Sequence, residues 1–282
     1  MSINTIGVIG AGTMGSGIAQ VAAAAGFNIS LLDVSDAAVK RGLDAVAAGF
    51  ARLTAKGKIS AVEKEAALAR IRGATTYDDL KPADIVIEAA TESFDLKAKI
   101  FKRLDALVRP DTIIASNTSS VSITKLASLV SHPDRVVGMH FFNPVPVMSL
   151  IEIVRGLQTS DAAHDAVEAL AQKLGKWPIT VKNAPGFIVN RILLPMINEA
   201  FFVLAEGDAS ATEIDEGMKL GCNHPIGPLA LADLIGLDVL LSVMQVLHDE
   251  FADSKYRPCP LLREMVAAGY FGRKSGRGVY RY

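Results

Sequence analysis

The sequence predicts an α/β fold: a mostly parallel, helix-covered sheet with an inserted helical hairpin, followed by a smaller all-α domain. Three observations lead there. Short β-branched runs alternate with Ala- and Leu-rich stretches through the first half; a cluster of turn formers, Asn183-Ala184-Pro185-Gly186, interrupts the chain; beyond it the strand signal stops. At 282 residues the chain exceeds one domain of usual size, so two are expected, spanning 1–184 and 185–282.

The strands read in order as Thr5–Ile9, Asn28–Asp33, Asp84–Glu88, Thr112–Ser116 and Arg135–Phe141. Leu150–Val154 and Ile179–Val181 follow, with a helix at Asp161–Lys173 between them. Between Ser35 and Arg72 the chain is expected to be helical. Val39, Leu43, Val46, Phe50 and Leu53 recur there at spacings of four and three, laying one apolar stripe along a helix of the inserted hairpin. From Phe187 to about Ala268 the expectation is helix throughout. Its first helix carries Ile188, Val189, Ile192, Leu193, Leu194, Met196 and Ile197 around most of its circumference. One packed face cannot bury all of these, which implies either a subunit contact or a central position in a monomeric helical domain.

Hydrophobic residues at 50%, charged residues at 21% and a net charge of -1 describe an ordinary globular protein, with no field that favours nucleic acid or an anionic membrane. The start, Met1 to Gly7, has neither a basic region nor a long apolar stretch, so no secretion signal or membrane anchor is expected. Cys222 and Cys259 stand far apart and fit neither a metal motif nor a disulfide framework. No metal is expected, and the reducing cytoplasm is the expected compartment.

Gly10-Ala11-Gly12-Thr13-Met14-Gly15 fits G-x-G-x-x-G between a strand and an Ala-rich helix. The glycines allow a tight turn, close approach of backbone to a pyrophosphate and tight helix-to-strand packing, while the helix N-terminus offers N–H groups to the phosphates. The second strand ends at Asp33, placed to accept hydrogen bonds from adenosine ribose hydroxyls. A carboxylate there repels a 2′-phosphate, so a Rossmann-like site for NAD is expected rather than one for NADP. A purely structural turn, an FAD site, or a helix-capping role for Asp33 are the competing readings. Glu88 and Glu92 flank the carboxyl end of a strand, the edge where open α/β sheets bind ligands, although either also reads as a solvated loop acid.

The strand ending in Met139-His140-Phe141 is followed by Asn143-Pro144-Val145-Pro146 and then by Leu150-Ile151-Glu152-Ile153-Val154. Folding these strands together about the proline-containing turn, with 146 as midpoint, brings 140 opposite 152. Glu152 has two apolar residues on each side, so its carboxylate is expected to be buried and to need a partner. His140 supplies one. A carboxylate on one imidazole nitrogen sets the tautomer and stabilises the imidazolium, so the other nitrogen can exchange a proton with substrate. A purely structural His–Glu pair remains the alternative. Asn117-Thr118-Ser119-Ser120 offers amide and hydroxyl groups to a ligand or caps the next helix. Asn190 faces a cleft or caps local backbone. Arg52 and Lys56, four apart, meet phosphates as one basic face or remain solvated.

Five segments resemble the L-3-hydroxyacyl-CoA dehydrogenases, in the right order and across essentially the whole chain. They are the glycine loop, Ala115-Ser116-Asn117-Thr118-Ser119-Ser120, Gly138-Met139-His140-Phe141-Phe142-Asn143-Pro144, Pro185-Gly186-Phe187-Ile188-Val189-Asn190-Arg191 and Gly272-Arg273-Lys274-Ser275-Gly276-Arg277-Gly278-Val279-Tyr280. The resemblance implies a catalytic His140 paired with Glu152, with Ser119 and Asn190 contacting the substrate oxygen or positioning the reacting groups. It implies NAD contacts at Gly10, Gly12, Thr13, Met14, Gly15, Asp33, Glu92, Lys97, Ser119, Asn143 and Lys274. Arg52 and Lys56 would lie near the CoA nucleotide. Also implied are a short acyl-CoA thioester substrate, the (3S) product, a stand-alone enzyme without hydratase or thiolase portions, and a homodimer joined through the helical domain. A sister dehydrogenase acting on a free hydroxy acid, or a non-catalytic dinucleotide-binding protein, would share much of this pattern.

Overall fold

A computed structural model describes residues 3–282, so Met1 and Ser2 of the segment read for a targeting signal lie outside the described residues. The chain divides into two units, Met1–Ala184 and Pro185–Tyr282. The first runs β1 (Thr5–Ile9), α1 (Thr13–Ala24), β2 (Asn28–Leu32), α2 (Asp36–Ala55), α3 (Ala61–Leu68), β3 (Ile71–Ala74), β4 (Ile85–Glu88) and α4 (Phe94–Asp105). It continues with β5 (Ile113–Ser116), α5 (Ile123–Ala127), β6 (Val136–Phe141), β7 (Leu150–Arg155), α6 (Asp161–Lys173) and β8 (Trp177–Lys182).

The eight strands form one sheet in the order β3-β2-β1-β4-β5-β6-β7-β8. Neighbours are parallel except β6 and β7, which run antiparallel. The chain leaves β1 to one side for β2 and to the other for β4, which opens a crevice at the carboxyl ends of β1 and β4. Central strands read as continuous apolar runs because helices cover both faces: every residue of β4, β5 and β6 is buried. On α2, Val39, Val46 and Phe50 are buried, and Leu43 and Leu53 pack against the same core. Truncating a fully buried Phe such as Phe50 to Ala costs about 3 to 5 kcal/mol.

One expectation fails here. The helical region expected to reach Arg72 ends earlier: α3 stops at Leu68 and residues 71–74 form an edge strand on β2, with Ile29 opposite Ile71 and Leu31 opposite Gly73. Ile-Arg-Gly-Ala carries almost no strand pattern of its own; the open edge of β2 recruits it. Gly73 permits the fit, since a Cβ there would lie 2.4 Å from Val39 Cγ1. At the opposite edge, β8 is longer than expected and tolerates Pro178, as an edge position allows.

Asp84, just before β4, ties the start of the sheet together. Its Oδ2 accepts the N–H groups of Asn4 and Thr5 at 2.8 and 3.0 Å, and Oδ1 accepts from Arg109 at 3.1 Å. Burial raises its pKa, but these hydrogen bonds and the guanidinium outweigh burial and hold it below the usual carboxylate value. With the folded pKa below the unfolded one, its stabilisation is complete above the unfolded value of about 4 and is lost as pH falls through the folded pKa. Asp84→Asn is therefore expected to be less stable than the parent at pH 7, with the gap closing on acidification. Urea midpoints at pH 7 and pH 3 measure this, and an unchanged gap contradicts it.

The second unit comprises α7 (Val189–Glu206), α8 (Ala211–Cys222), α9 (Pro228–Ile235), α10 (Leu237–Phe251) and α11 (Pro260–Ala267). Its first helix starts two residues later than expected, because Gly186 and Phe187 both take positive φ, +71° and +50°, in the entry turn. Leu194, Ile197, Phe201, Leu229, Leu240 and Met244 are among its core. Two buried carboxylates fasten the final segment. Asp233 accepts the N–H groups of Val279 and Tyr280, and Asp215 accepts those of Leu229 and Ala230 together with the Tyr280 hydroxyl. Burial and the Asp215 carboxylate push the Tyr280 phenol well above its ordinary pKa. Among the described residues no single helix is long and apolar enough to cross a membrane.

Candidate active site

The glycine loop sits at the crevice. Gly10 has φ +97°, and a Cβ there would lie 2.6 Å from Ala90 Cα, so the β1 and β4 exits touch backbone to backbone. A Cβ on Gly15 would come within 1.6 Å of Gly10 O, so α1 rests directly on the loop it follows. Gly12 differs, having nothing within 4 Å of where its Cβ would be. It is also the N-cap of α1 and provides no side-chain cap, so the first-turn N–H groups lack a capping side chain. That combination fits a pyrophosphate. Thr13 and Met14 open the helix beside it, exposed and half-buried respectively. Asp33, just past β2, turns onto the loop, its Oδ2 accepting Ala11 N–H at 2.7 Å. It does not cap α2; Ser35 does, accepting from Ala38 N–H.

At the end of β4 the structure shows a buried network that the residue pattern did not reveal. Glu88 is neither a solvated loop acid nor a surface ligand group: it is fully buried, and its Oε2 lies 2.6 Å from Lys97 Nζ, which is itself 1% exposed. Ser116 Oγ and Ala90 N–H donate to the same carboxylate at 2.8 and 2.9 Å. The Lys97 ammonium, assigned by resemblance to the cofactor, pairs with Glu88, because a buried charge needs an opposite charge. The available signal was an acid closing the all-apolar run Ile85-Val86-Ile87, with a lysine nine residues on.

Glu92 is half-exposed and holds the following loop. It accepts from Thr118 Oγ1 at 2.6 Å and from Ser119 N and Oγ at 2.8 and 3.0 Å. The Asn117–Ser120 stretch is therefore not the cap of α5; Ser122 is, accepting from Lys125 N–H. Asn117 instead reaches across to β6, its Oδ1 accepting Phe141 N–H at 2.9 Å. Where the β5 ladder ends, that side chain continues it and anchors the residue next to His140.

His140 and Glu152 face one another in the β6–β7 ladder, the pairing expected from the midpoint argument. Nδ1 lies 2.7 Å from Glu152 Oε2; the carboxylate is fully buried and the histidine 6% exposed. The Phe142 ring stands 4.5 Å from the imidazole, centroid to centroid. Asn143 is exposed just beyond β6. Arg52 and Lys56 are both exposed at the C-terminal end of α2, as a basic pair on one face. In the second unit, Asn190 is half-buried in the first turn of α7, and Lys274 Nζ pairs with Asp238 at 2.6 Å.

A carboxylate-bound imidazole at the carboxyl end of the sheet that carries a dinucleotide loop defines a nicotinamide-dependent dehydrogenase with histidine acid–base chemistry. Residues 5–184 match the NAD-binding domain of 3-hydroxyacyl-CoA dehydrogenase and residues 186–282 match that family's C-terminal domain. The chain belongs to the 3-hydroxyacyl-CoA dehydrogenase family, and its cofactor is NAD. It is 54% identical over 282 residues to a probable 3-hydroxybutyryl-CoA dehydrogenase of Bacillus subtilis, covering 100% of this chain and 98% of that one. It is 52% identical over 280 residues to the 3-hydroxybutyryl-CoA dehydrogenase of Bradyrhizobium diazoefficiens, covering 99% and 96%. A crystal structure of (S)-3-hydroxybutyryl-CoA dehydrogenase from Ralstonia eutropha matches with TM-score 0.98 and 67% identity, covering 100% of this chain and 99% of that one.

Proposed function

We propose that the protein interconverts (3S)-3-hydroxyacyl-CoA and 3-ketoacyl-CoA, with 3-hydroxybutyryl-CoA and acetoacetyl-CoA as its preferred pair. The observation that carries this is the 2.7 Å bond between His140 Nδ1 and the buried Glu152 carboxylate. Bound NAD supplies the hydride acceptor in oxidation, and NADH the donor in reduction. The chain's residues do the rest. Glu152 holds the imidazole with Nδ1–H toward its carboxylate, so proton exchange falls to Nε2. His140 removes the 3-hydroxyl proton in oxidation and returns it in reduction. Ser119 and Asn190 are assigned to the substrate oxygen, where charge develops, and donors there have their largest effect. Arg52 and Lys56 are assigned to the CoA phosphates.

NADH oxidation should be fastest with acetoacetyl-CoA, slower with longer 3-ketoacyl-CoA substrates, and much slower with free acetoacetate or with NADPH. Equal rates on the free acid would establish the sister activity instead. Binding of NADH with no turnover on any thioester would establish the non-catalytic reading.

The functional unit on this reading is a cytoplasmic homodimer joined through the helical unit. Ile188 and Ile192 at the start of α7 are 42% and 67% exposed, and Leu220 on α8 is 82% exposed. These are side chains that a second copy would cover. Both cysteines are free thiols, Cys222 exposed and Cys259 buried, in keeping with a reducing compartment. Light scattering at micromolar concentration should give twice the chain mass, and Ile192→Glu should reduce it to one.

A further inference from the structure

Lys176 lies between α6 and β8 in the first unit, outside every motif read from the sequence. Its Nζ donates to two main-chain carbonyls of the segment joining β6 to β7: Val145 O at 2.6 Å and Met148 O at 2.7 Å. Among the described residues this ammonium has carbonyl partners and no carboxylate partner. A surface lysine serving solubility would not be arranged so.

The segment it grips is anchored on three sides. Pro144 O accepts Val147 and Met148 N–H groups at 2.9 and 3.0 Å, closing the turn internally. Val145 is 2% exposed and packs against α1, where a Cβ on Gly17 would sit 2.9 Å from Val145 Cβ. Trp177 N–H donates to Ser149 O at 2.7 Å, and β7 begins at the next residue. His140 and Asn143 lie just before the segment, and Glu152 just after it. Lys176 thus bridges the two halves of the connection between the acid–base histidine and its carboxylate.

We propose that Lys176 is a positioning residue for the reaction: its paired bonds to Val145 O and Met148 O hold the β6–β7 connection, and thereby the placement of His140, Glu152 and Asn143. It does not act on the substrate itself. The proposal rests on the dehydrogenase reading above. The ladder still pairs His140 with Glu152 when the bridge is lost, so the defect is displacement rather than removal of the pair. Displacement of reacting groups by about 1 Å can cost up to about 100-fold; partial loosening is expected to cost about tenfold.

The test compares wild type, Lys176→Met, Lys176→Gln, Lys176→Arg and the solvent-facing control Lys173→Met, using acetoacetyl-CoA and NADH across pH 5 to 9 with Tm recorded for each. Lys176→Met should lower kcat about tenfold and displace the pH profile of kcat. Lys176→Arg, whose fork can donate to both carbonyls, should recover most of the loss, and Lys173→Met should match wild type. Should Lys176→Met fail to fold, Lys176→Gln, which can satisfy one carbonyl, should show the same pH displacement in smaller measure. A variant lacking the bridge but keeping wild-type kcat and pH profile overturns the proposal, even if its Tm falls. So does an arginine variant as impaired as the methionine one. A wild type inactive on acetoacetyl-CoA would fail the dehydrogenase reading instead.

Discussion

His140→Gln is expected to bind NADH and the CoA thioester nearly as well as the parent, yet turn over about 100- to 10,000-fold more slowly, the range general acid–base catalysis supplies. Glutamine can still donate a hydrogen bond to the buried Glu152 carboxylate, which sits 2.7 Å from Nδ1 in the parent, so the acid is not stranded and the strand pair should persist. What is lost is the imidazole that takes and returns the substrate proton. Stopped-flow reduction of acetoacetyl-CoA gives the rate, and NADH fluorescence titration gives the binding. A variant with near-normal turnover would remove His140 from the chemistry and reduce the pair to a core contact.

Gly15→Ala and Gly12→Ala should part company. At Gly15 a Cβ meets the Gly10 carbonyl oxygen at 1.6 Å, a clash with a main-chain atom that no side-chain rotation relieves. Helix α1 must back away from β1, taking with it the loop that the phosphates would contact. We expect a loss of about 3 kcal/mol or more, at the upper end for overpacking, together with loss of NADH binding. In Tm that is on the order of 10 °C for a unit of this size. At Gly12 nothing lies within 4 Å of the added methyl, so Tm should hold while NADH affinity drops. Thermal denaturation with NADH titration separates the two. A Gly15→Ala protein with parental Tm and affinity would show that the loop geometry is wrong, and a tight-binding Gly12→Ala would place the pyrophosphate elsewhere.

Some of this molecule was legible in short stretches of chain. The glycine loop was readable because each glycine answers a backbone requirement within six residues. The His140–Glu152 pairing was readable because a hairpin about residue 146 admits one symmetric register, and Glu152 stands alone in an apolar run. The helical stripe from Val39 to Leu53 was readable from its period. The edge strand at 71–74 was hidden, since its four residues pair only because β2 leaves an edge open. Equally hidden were the capture of Lys97 by Glu88 and the grip of Glu92 on Ser119, where 27 residues separate the partners.

What the amino-acid order determined by itself is local: periods of two and near four that choose strand or helix, glycines where no side chain fits, and a turn that sets one register. What tertiary structure alone decided is partnership. Sheet order places the carboxyl ends of β1, β4, β5 and β6 side by side though they are far apart in sequence. A buried or half-buried charge then finds an opposite charge or a carbonyl. Lys97 found Glu88 and Lys176 found two carbonyls, because distance in space, not along the chain, governs electrostatic and hydrogen-bond energy.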